Sequence, residues 1–180
     1  KFKEAIAKAT EWGDAETVKE AKELIPLIFI TDGNQLLNEK KFAEAVVEYE
    51  KALAEDPDNG MAYLRIGMCK NQLGYVKKAN ADLRAKNSQG ALDNAKKSLE
   101  YGENPNAYMI GGTAAVALKK YDDAIELLSK AKANANVNYN LARSYEAKGN
   151  SAKACEYYKL IAADAKLGEF AKAKVAALCK

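Results

Sequence analysis

One stretch narrows the folds open to this chain more than any other: GNQLLNEKKFAEAVVEYEKALAEDPDN, residues 33–59. Leu36 and Leu37 end one amphipathic turn, and the polar residues Glu39 to Lys41 interrupt it. Phe42, Ala45, Val46, Tyr49, Ala52 and Leu53 then recur at three- and four-residue spacing, which places them on one face of a helix. Asp56-Pro57-Asp58 stops that helix, because Pro57 has no N–H and biases Asp56 away from helical geometry. The stretch reads helix, tight turn, helix, stop. A step of 34 residues carries Gly33 to Gly67 and Ala45 to Ala79, with Tyr63 and Ile66 as the large residues nearby. A third copy reads Tyr108, Gly112, Ala115, Tyr121, Ala124, Leu128 and Ala131, and a fourth Leu141, Ala142, Tyr145, Gly149, Ala154 and Tyr158.

Four such copies in order, covering most of the chain, resemble the tetratricopeptide repeat (TPR), whose period is about 34 residues. The resemblance implies an all-α fold: a right-handed α-solenoid of about four helix-turn-helix units with a C-terminal capping helix. It implies a single superhelix over residues 1–180, with a partial repeat at 1–25, repeats at about 26–59, 60–104, 105–134 and 135–165, and the cap at about 168–179. Small residues such as Gly33, Gly67, Gly112 and Ala45 then mark where helices approach closely, and large ones fill the space beside them. No pair covers its own apolar stripe, so the units must stack.

Within this frame, Phe2, Ala5, Ile6 and Ala9 share a face and resemble the second helix of an earlier repeat. Trp12-Gly13-Asp14 breaks it, with Asp14 as N-cap. Ala15 to Asn38 is one helix kinked at Pro26 or two helices meeting there, and Asp32 departs from the apolar residue the family prefers. Ala79 to Ala124 is 45 residues, so the second repeat carries 11 extra residues somewhere between Tyr75 and Leu92. A break at Asn87-Ser88-Gln89-Gly90 is expected there, with Ser88 capping a helix that Gly102 and Pro105 end; the alternative is one long helix, since Ala79, Leu83, Gly90, Ala95 and Leu99 roughly keep helical phase. From Ala124 to Ala154 is 30 residues, and the loss is placed in the Ala-Asn run from Ala131 to Asn138. Phe170, Ala173, Val175 and Leu178 give the last segment its apolar face.

No arrangement of reactive side chains stands out. The chain has no histidine, which removes the commonest general base and metal ligand. Cys69, Cys155 and Cys179 are odd in number and far apart, which gives neither zinc spacing nor a disulfide framework, and Cys155 beside Ala154 reads as a small buried hydrophobe. Asp122-Asp123 are adjacent on a helix and point about 100° apart, so they are a solvated helix start and not a facing acid pair. Gly111-Gly112 lacks the Lys-Ser or Lys-Thr of a phosphate loop, and close helix packing explains it. Arg65 to Lys97 is basic, but Tyr75 is its only aromatic, unlike a nucleic-acid surface. The apolar run Leu24 to Ile30 is far too short to span a bilayer. A non-enzymatic chain is expected, without cofactor or metal, nucleic-acid partner or membrane insertion.

In a TPR array the first helix of each pair lines a concave groove. The resemblance places on that stripe Leu27, Ile30, Asn34 and Leu37; Met61, Leu64, Met68 and Asn71; Asn106, Met109, Thr113 and Val116; and Asn136, Tyr139, Arg143 and Glu146. All three methionines fall on it, a flexible apolar surface suited to varied peptides. The ligand-binding residues expected are Ile30, Asn34, Met61, Leu64, Met68, Met109, Thr113, Tyr139 and Arg143, with an acidic end of the partner near Arg143. The clamp with which some TPR proteins hold a chaperone's terminal carboxylates is not carried over: only Asn34 matches, while Ile30, Arg65, Asn106 and Ile110 stand at the other places. The expected function is a scaffold that binds a protein segment in the groove. The alternative is a self-associating subunit of a bacterial envelope assembly, pairing through Phe2, Ala5 and the Leu24–Ile30 run. The start at Lys1, in mid-helix by pattern, suggests a trimmed or processed form. Because many bacterial TPR proteins are exported, a periplasmic or exported location is favoured over the cytoplasm.

Overall fold

A computed structural model describes residues 2–179, with side chains from Glu4 onward. Among the described residues there are ten helices and no strand: α1 Phe2–Glu11, α2 Ala15–Asn38, α3 Phe42–Glu55, α4 Gly60–Arg84, α5 Ser88–Glu100, α6 Pro105–Ala117, α7 Tyr121–Lys130, α8 Ala135–Ala147, α9 Ser151–Leu160 and α10 Gly168–Leu178. The chain forms two compact units, up to Leu73 and from Gly74 onward. In the first, α2 and α3 pair, and Phe42, Tyr49 and Ala52 of α3 pack with Ala62, Ile66 and Cys69 of α4. In the second, α5 to α9 follow as successive antiparallel neighbours, and α10 lies against α9. Phe2, part of the expected self-association face, lies outside the described side chains.

The same turn closes α1, α2, α4, α6 and α8. One residue takes left-handed geometry: Gly13, Lys40, Lys86, Lys119 and Gly149, with φ between 58° and 74°. The next residue returns its N–H to the carbonyl five positions back, Asp14 to Ala9, Lys41 to Leu36, Asn87 to Asp82, Lys120 to Ala115 and Asn150 to Tyr145, each at 2.9 Å. This is the Schellman closure, which satisfies carbonyls that a helix end would leave bare. All five following helices begin at once on a polar cap or a lysine, and Asp14, Asn87 and Asn150 accept a backbone N–H three residues on. The cap of α5 is therefore Asn87 and not Ser88, because the carboxamide one residue earlier reaches the Gly90 N–H at 3.0 Å. Asn59, Asn104 and Asn134 cap α4, α6 and α8 in the same way.

Counting from these turns corrects the register of the second repeat. Lys40 to Lys86 is 46 residues, and Lys86 to Lys119 is 33. The extra residues thus lengthen the first helix, and α4 runs 25 residues before it turns. Five residues after the turns stand Ala45, Ala91, Ala124 and Ala154, all wholly buried. Ala79 is therefore the counterpart of Gly33, seven residues before its turn, and not of Ala45. Gly67 has no such role, and a Cβ there would meet nothing within 4 Å. The shortening after Ala124 also has another origin than the Ala131–Asn138 run alone: α7 has 10 residues where α3 has 14.

Seven before and nine after the Lys40, Lys119 and Gly149 turns, facing residues trade volume. Gly33 meets Tyr49, where a Cβ would lie 2.6 Å from the ring, and Gly112 meets Leu128 at a still closer approach. Ala79 and Ala95 belong to one core cluster, Ala142 and Tyr158 to another. Pro26 lies inside α2, which continues through it to Asn38 as one helix, and Asp32 is exposed on its surface.

The register makes a paired prediction. Gly112→Ala should destabilise by about 1–3 kcal/mol, because Leu128 must leave its place. Gly67→Ala should stabilise by up to about 1 kcal/mol, the helix propensity of alanine over glycine in open space. Urea unfolding of both variants checks it, and equal shifts of one sign would refute the register.

Candidate functional site

The expected groove residues are taken unit by unit. In the first unit, Ala62, Ile66 and Cys69 point α4 into the core, which turns Met61, Leu64 and Met68 away from it. Met61 and Leu64 are more than half exposed, at 51% and 59%. Ile30 is half-buried and packs on the same core from α2. Asn34 is engaged, since its side-chain oxygen accepts from the Tyr49 hydroxyl at 2.9 Å. Cys69 is buried there, and burial pushes its thiol above the ordinary value, which keeps it protonated and inert.

In the second unit the expected residues are joined by direct contacts from α6 through α8 to α10. Thr113 Oγ1 donates to the Met109 carbonyl at 2.8 Å and accepts from Asn140 Nδ2 at 3.4 Å. Asn134 Nδ2 approaches the Met109 sulfur at 3.8 Å. On α8 the exposed Arg143 guanidinium lies over the Tyr139 ring at 5.6 Å. Tyr139 meets Phe170 of α10 edge-on at 5.8 Å, and Phe170 meets Tyr158 likewise at 6.0 Å. Sequence reasoning missed Val76 and Asn80, which stand before the Lys86 turn where Ile30 and Asn34 stand before Lys40. The lysine-asparagine turn at Lys86-Asn87 is the signal that would have found them.

Beside Arg143 sits Glu146, one helical turn on. It accepts from Lys174 Nζ at 2.5 Å and from the Tyr158 hydroxyl at 2.8 Å. Burial pushes its carboxyl up, but these two hydrogen bonds, with the charges of Lys174 and Arg143, hold it below the usual value. The Tyr158 hydroxyl is driven up by burial and by donating to a carboxylate. With Glu146 taken up by Lys174, the face presents Arg143 as its outward charge. That suits a carboxylate more than a second cation.

Residues 76–138 match the tetratricopeptide repeat family, and so do residues 135–161. The chain is a tetratricopeptide repeat protein. No curated protein matches it. Solved structures similar to it include the crystal structure of MamA protein and that of a tetratricopeptide repeat protein from Parabacteroides merdae ATCC 43184. The first is 18% identical at a TM-score of 0.41, over 88% of this chain and 86% of that one. The second is 16% identical at 0.46, over 98% of this chain and 72% of that one. Repeats of this family are in general non-enzymatic modules for protein–protein contact, and their presence supports an interaction scaffold here. Among the described residues no cluster of His, Cys, Asp and Glu could hold a metal, and no helix is long and apolar enough to cross a membrane. Asp122 and Asp123 open α7 and pair with Lys148 and Lys96. Of the basic stretch, Lys70 pairs with Glu50, and Lys97 lies over the Tyr75 ring.

A further expectation is overturned. Cys155 and Cys179 form a disulfide, with Cα atoms 5.6 Å apart. Their separation of 24 residues concealed the pairing, because α10 folds back and brings its end onto α9.

The Glu146 contacts carry a pH prediction. A carboxyl held low in the fold contributes stability above its unfolded value, lost as pH falls through the folded one. The thermal midpoint should therefore fall less between pH 7 and about pH 3 for Glu146→Gln than for the parent chain, whose carboxylate must be protonated. Equal acid sensitivity in a melting series would remove Glu146 from this role.

Proposed function

We propose that this TPR protein binds an extended or helical segment of a partner protein along the exposed faces of its first helices. In the second unit the segment lies over Met109, Thr113 and Tyr139, with an acidic side chain at Arg143. Met61, Leu64 and Met68, with Ile30 and Asn34, form the corresponding surface of the first unit. The observation that carries this reading is the exposed Arg143 laid over Tyr139 beside a Glu146 already neutralised by Lys174. Met109, half-buried at the other end of the same contacts, offers a deformable apolar place. The Cys155–Cys179 bond supports a periplasmic or exported location, since disulfides persist in oxidising compartments.

Selection of short peptides from a random display library tests the binding reading. Selected peptides should carry Asp or Glu at one end. They should lose at least tenfold in affinity to Arg143→Glu and to Met109→Lys, with helical circular dichroism unchanged. Peptides that bind both variants as tightly as the parent chain would place the site elsewhere.

A second reading rests on a different surface. Leu24, Leu27 and Ile28 of α2 are 47%, 52% and 37% exposed and border an apolar depression with Thr31 and Asp32. Self-association through this face, as a structural subunit of an envelope assembly, would cover them. Light scattering should then show a mass that rises with concentration and returns to that of one chain in Leu27→Glu. A constant mass of one chain across that range would end this reading.

A further inference from the structure

α10 is a helix whose two halves are held by different means. Its first half is anchored by packing: Gly168 and Ala171 are buried, and a Cβ at Gly168 would lie 2.8 Å from the Ala162 carbonyl oxygen. Phe170 adds its edge contacts to Tyr139 and Tyr158. No residue of the second half is fully buried among those described. Val175 and Leu178 only half-cover the core of Ala142, Ala154, Tyr158 and Ile161, and Ala173, Ala176 and Ala177 are exposed. What remains is the Lys174–Glu146 ion pair and the bond to Cys155. Ion pairs with partly exposed partners are weak holds. The covalent bond is thus the main restraint on residues 172–179.

We propose that the Cys155–Cys179 disulfide is a redox latch, which keeps the second half of α10 closed over α8 and α9 and releases it on reduction. The two sulfurs are unequal: Cys155 is buried at 7% exposure, while Cys179 is half-exposed beyond the helix end. A dithiol reductant attacks through its thiolate at the Cys179 sulfur, which forms a mixed disulfide and expels Cys155 as a thiolate that takes up a proton. The second thiol of the reductant closes its own disulfide and expels Cys179 as a thiolate, protonated in turn. Two electrons and two protons pass to the protein, and the reductant leaves as a cyclic disulfide. Lys174 then leaves Glu146, whose carboxylate is left beside Arg143 and cancels the outward charge of that face. The latch itself stands on the geometry of α10 and does not depend on the peptide-binding reading.

Thiol counting and hydrogen exchange on the whole chain test it. Protein from acid-quenched cells, denatured and then alkylated at neutral pH, should show one free thiol, Cys69, and three when dithiothreitol is added before the alkylation. Three free thiols in cells, with the chain properly folded, would overturn the latch. On reduction, amide exchange over residues 172–179 should speed up at least tenfold, while α8 and α9 keep their protection. Unchanged exchange would show that packing alone holds α10, and loss of protection throughout the second unit would show a staple for the fold and no latch. A Cys155→Ala, Cys179→Ala chain should exchange like the reduced protein without any reductant, and exchange like the oxidised parent would equally overturn the proposal.

Discussion

The helical pairs depend on one crossing, set by the left-handed residue between two helices. A Schellman closure turns the chain within two residues, so the residue seven before it must face the residue nine after it at close range. Two large side chains cannot share that place, and two glycines would leave a void, which is why volume is traded across it. Gly33 with Tyr49 and Gly112 with Leu128 are the extreme settlements, and Ala142 with Tyr158 a milder one. Ala79 with Ala95 is small on both sides, and there Leu83 and Leu92 of the same cluster supply the missing bulk. Three of the turn residues are lysines, whose Cβ makes left-handed geometry costly by about 1 kcal/mol. The closure keeps that geometry because the alternative leaves helix carbonyls bare.

From this crossing the face of the second unit follows. Once Gly112 and Ala142 point into their crossings, the residues one position further on, Thr113 and Arg143, are turned about 100° away round the helix, and Met109 and Tyr139 lie one turn below them. The contacts from Met109 to Asn134, from Thr113 to Asn140 and from Tyr139 to Phe170 therefore arise where neighbouring first helices and α10 meet edge to edge. Charge enters only at the end of this run. Glu146 is paired before any partner arrives, and Arg143 is spread over an aromatic ring with its edge still open to solvent.

The sequence was most legible where period and capping agree. The apolar stripe of Phe42 to Leu53, the stop at Asp56 and the cap at Asp14 all stand as the residue pattern implies. A fixed step of 34 residues failed in the second repeat for a physical reason: a helix tolerates three added turns without any change in side-chain chemistry, so the insertion left no mark in its own residues. It left one at its end, in Lys86-Asn87, which repeats the form of Gly149-Asn150. Asn104, and Asn134 within the Ala-Asn run where the fourth repeat is short, are helix caps that the repeat pattern did not single out. Asn34, expected to meet a ligand, already holds the Tyr49 hydroxyl.

The disulfide was illegible because cysteine spacing carries information only when the chain between is short or stereotyped. Here the chain between, over a separation of 24 residues, includes the rest of α9, a loop and α10, and its return is decided by Gly168 seated against the Ala162 carbonyl. That contact aims α10 back along α9, so its far end arrives where Cys155 already sits. The alanines that make α10 a good helix former also make it a poor anchor, since a methyl group buries little apolar area. The second half of this alanine-rich helix lies over α9 mainly through one covalent bond, which makes its closure depend on the redox state of two sulfur atoms.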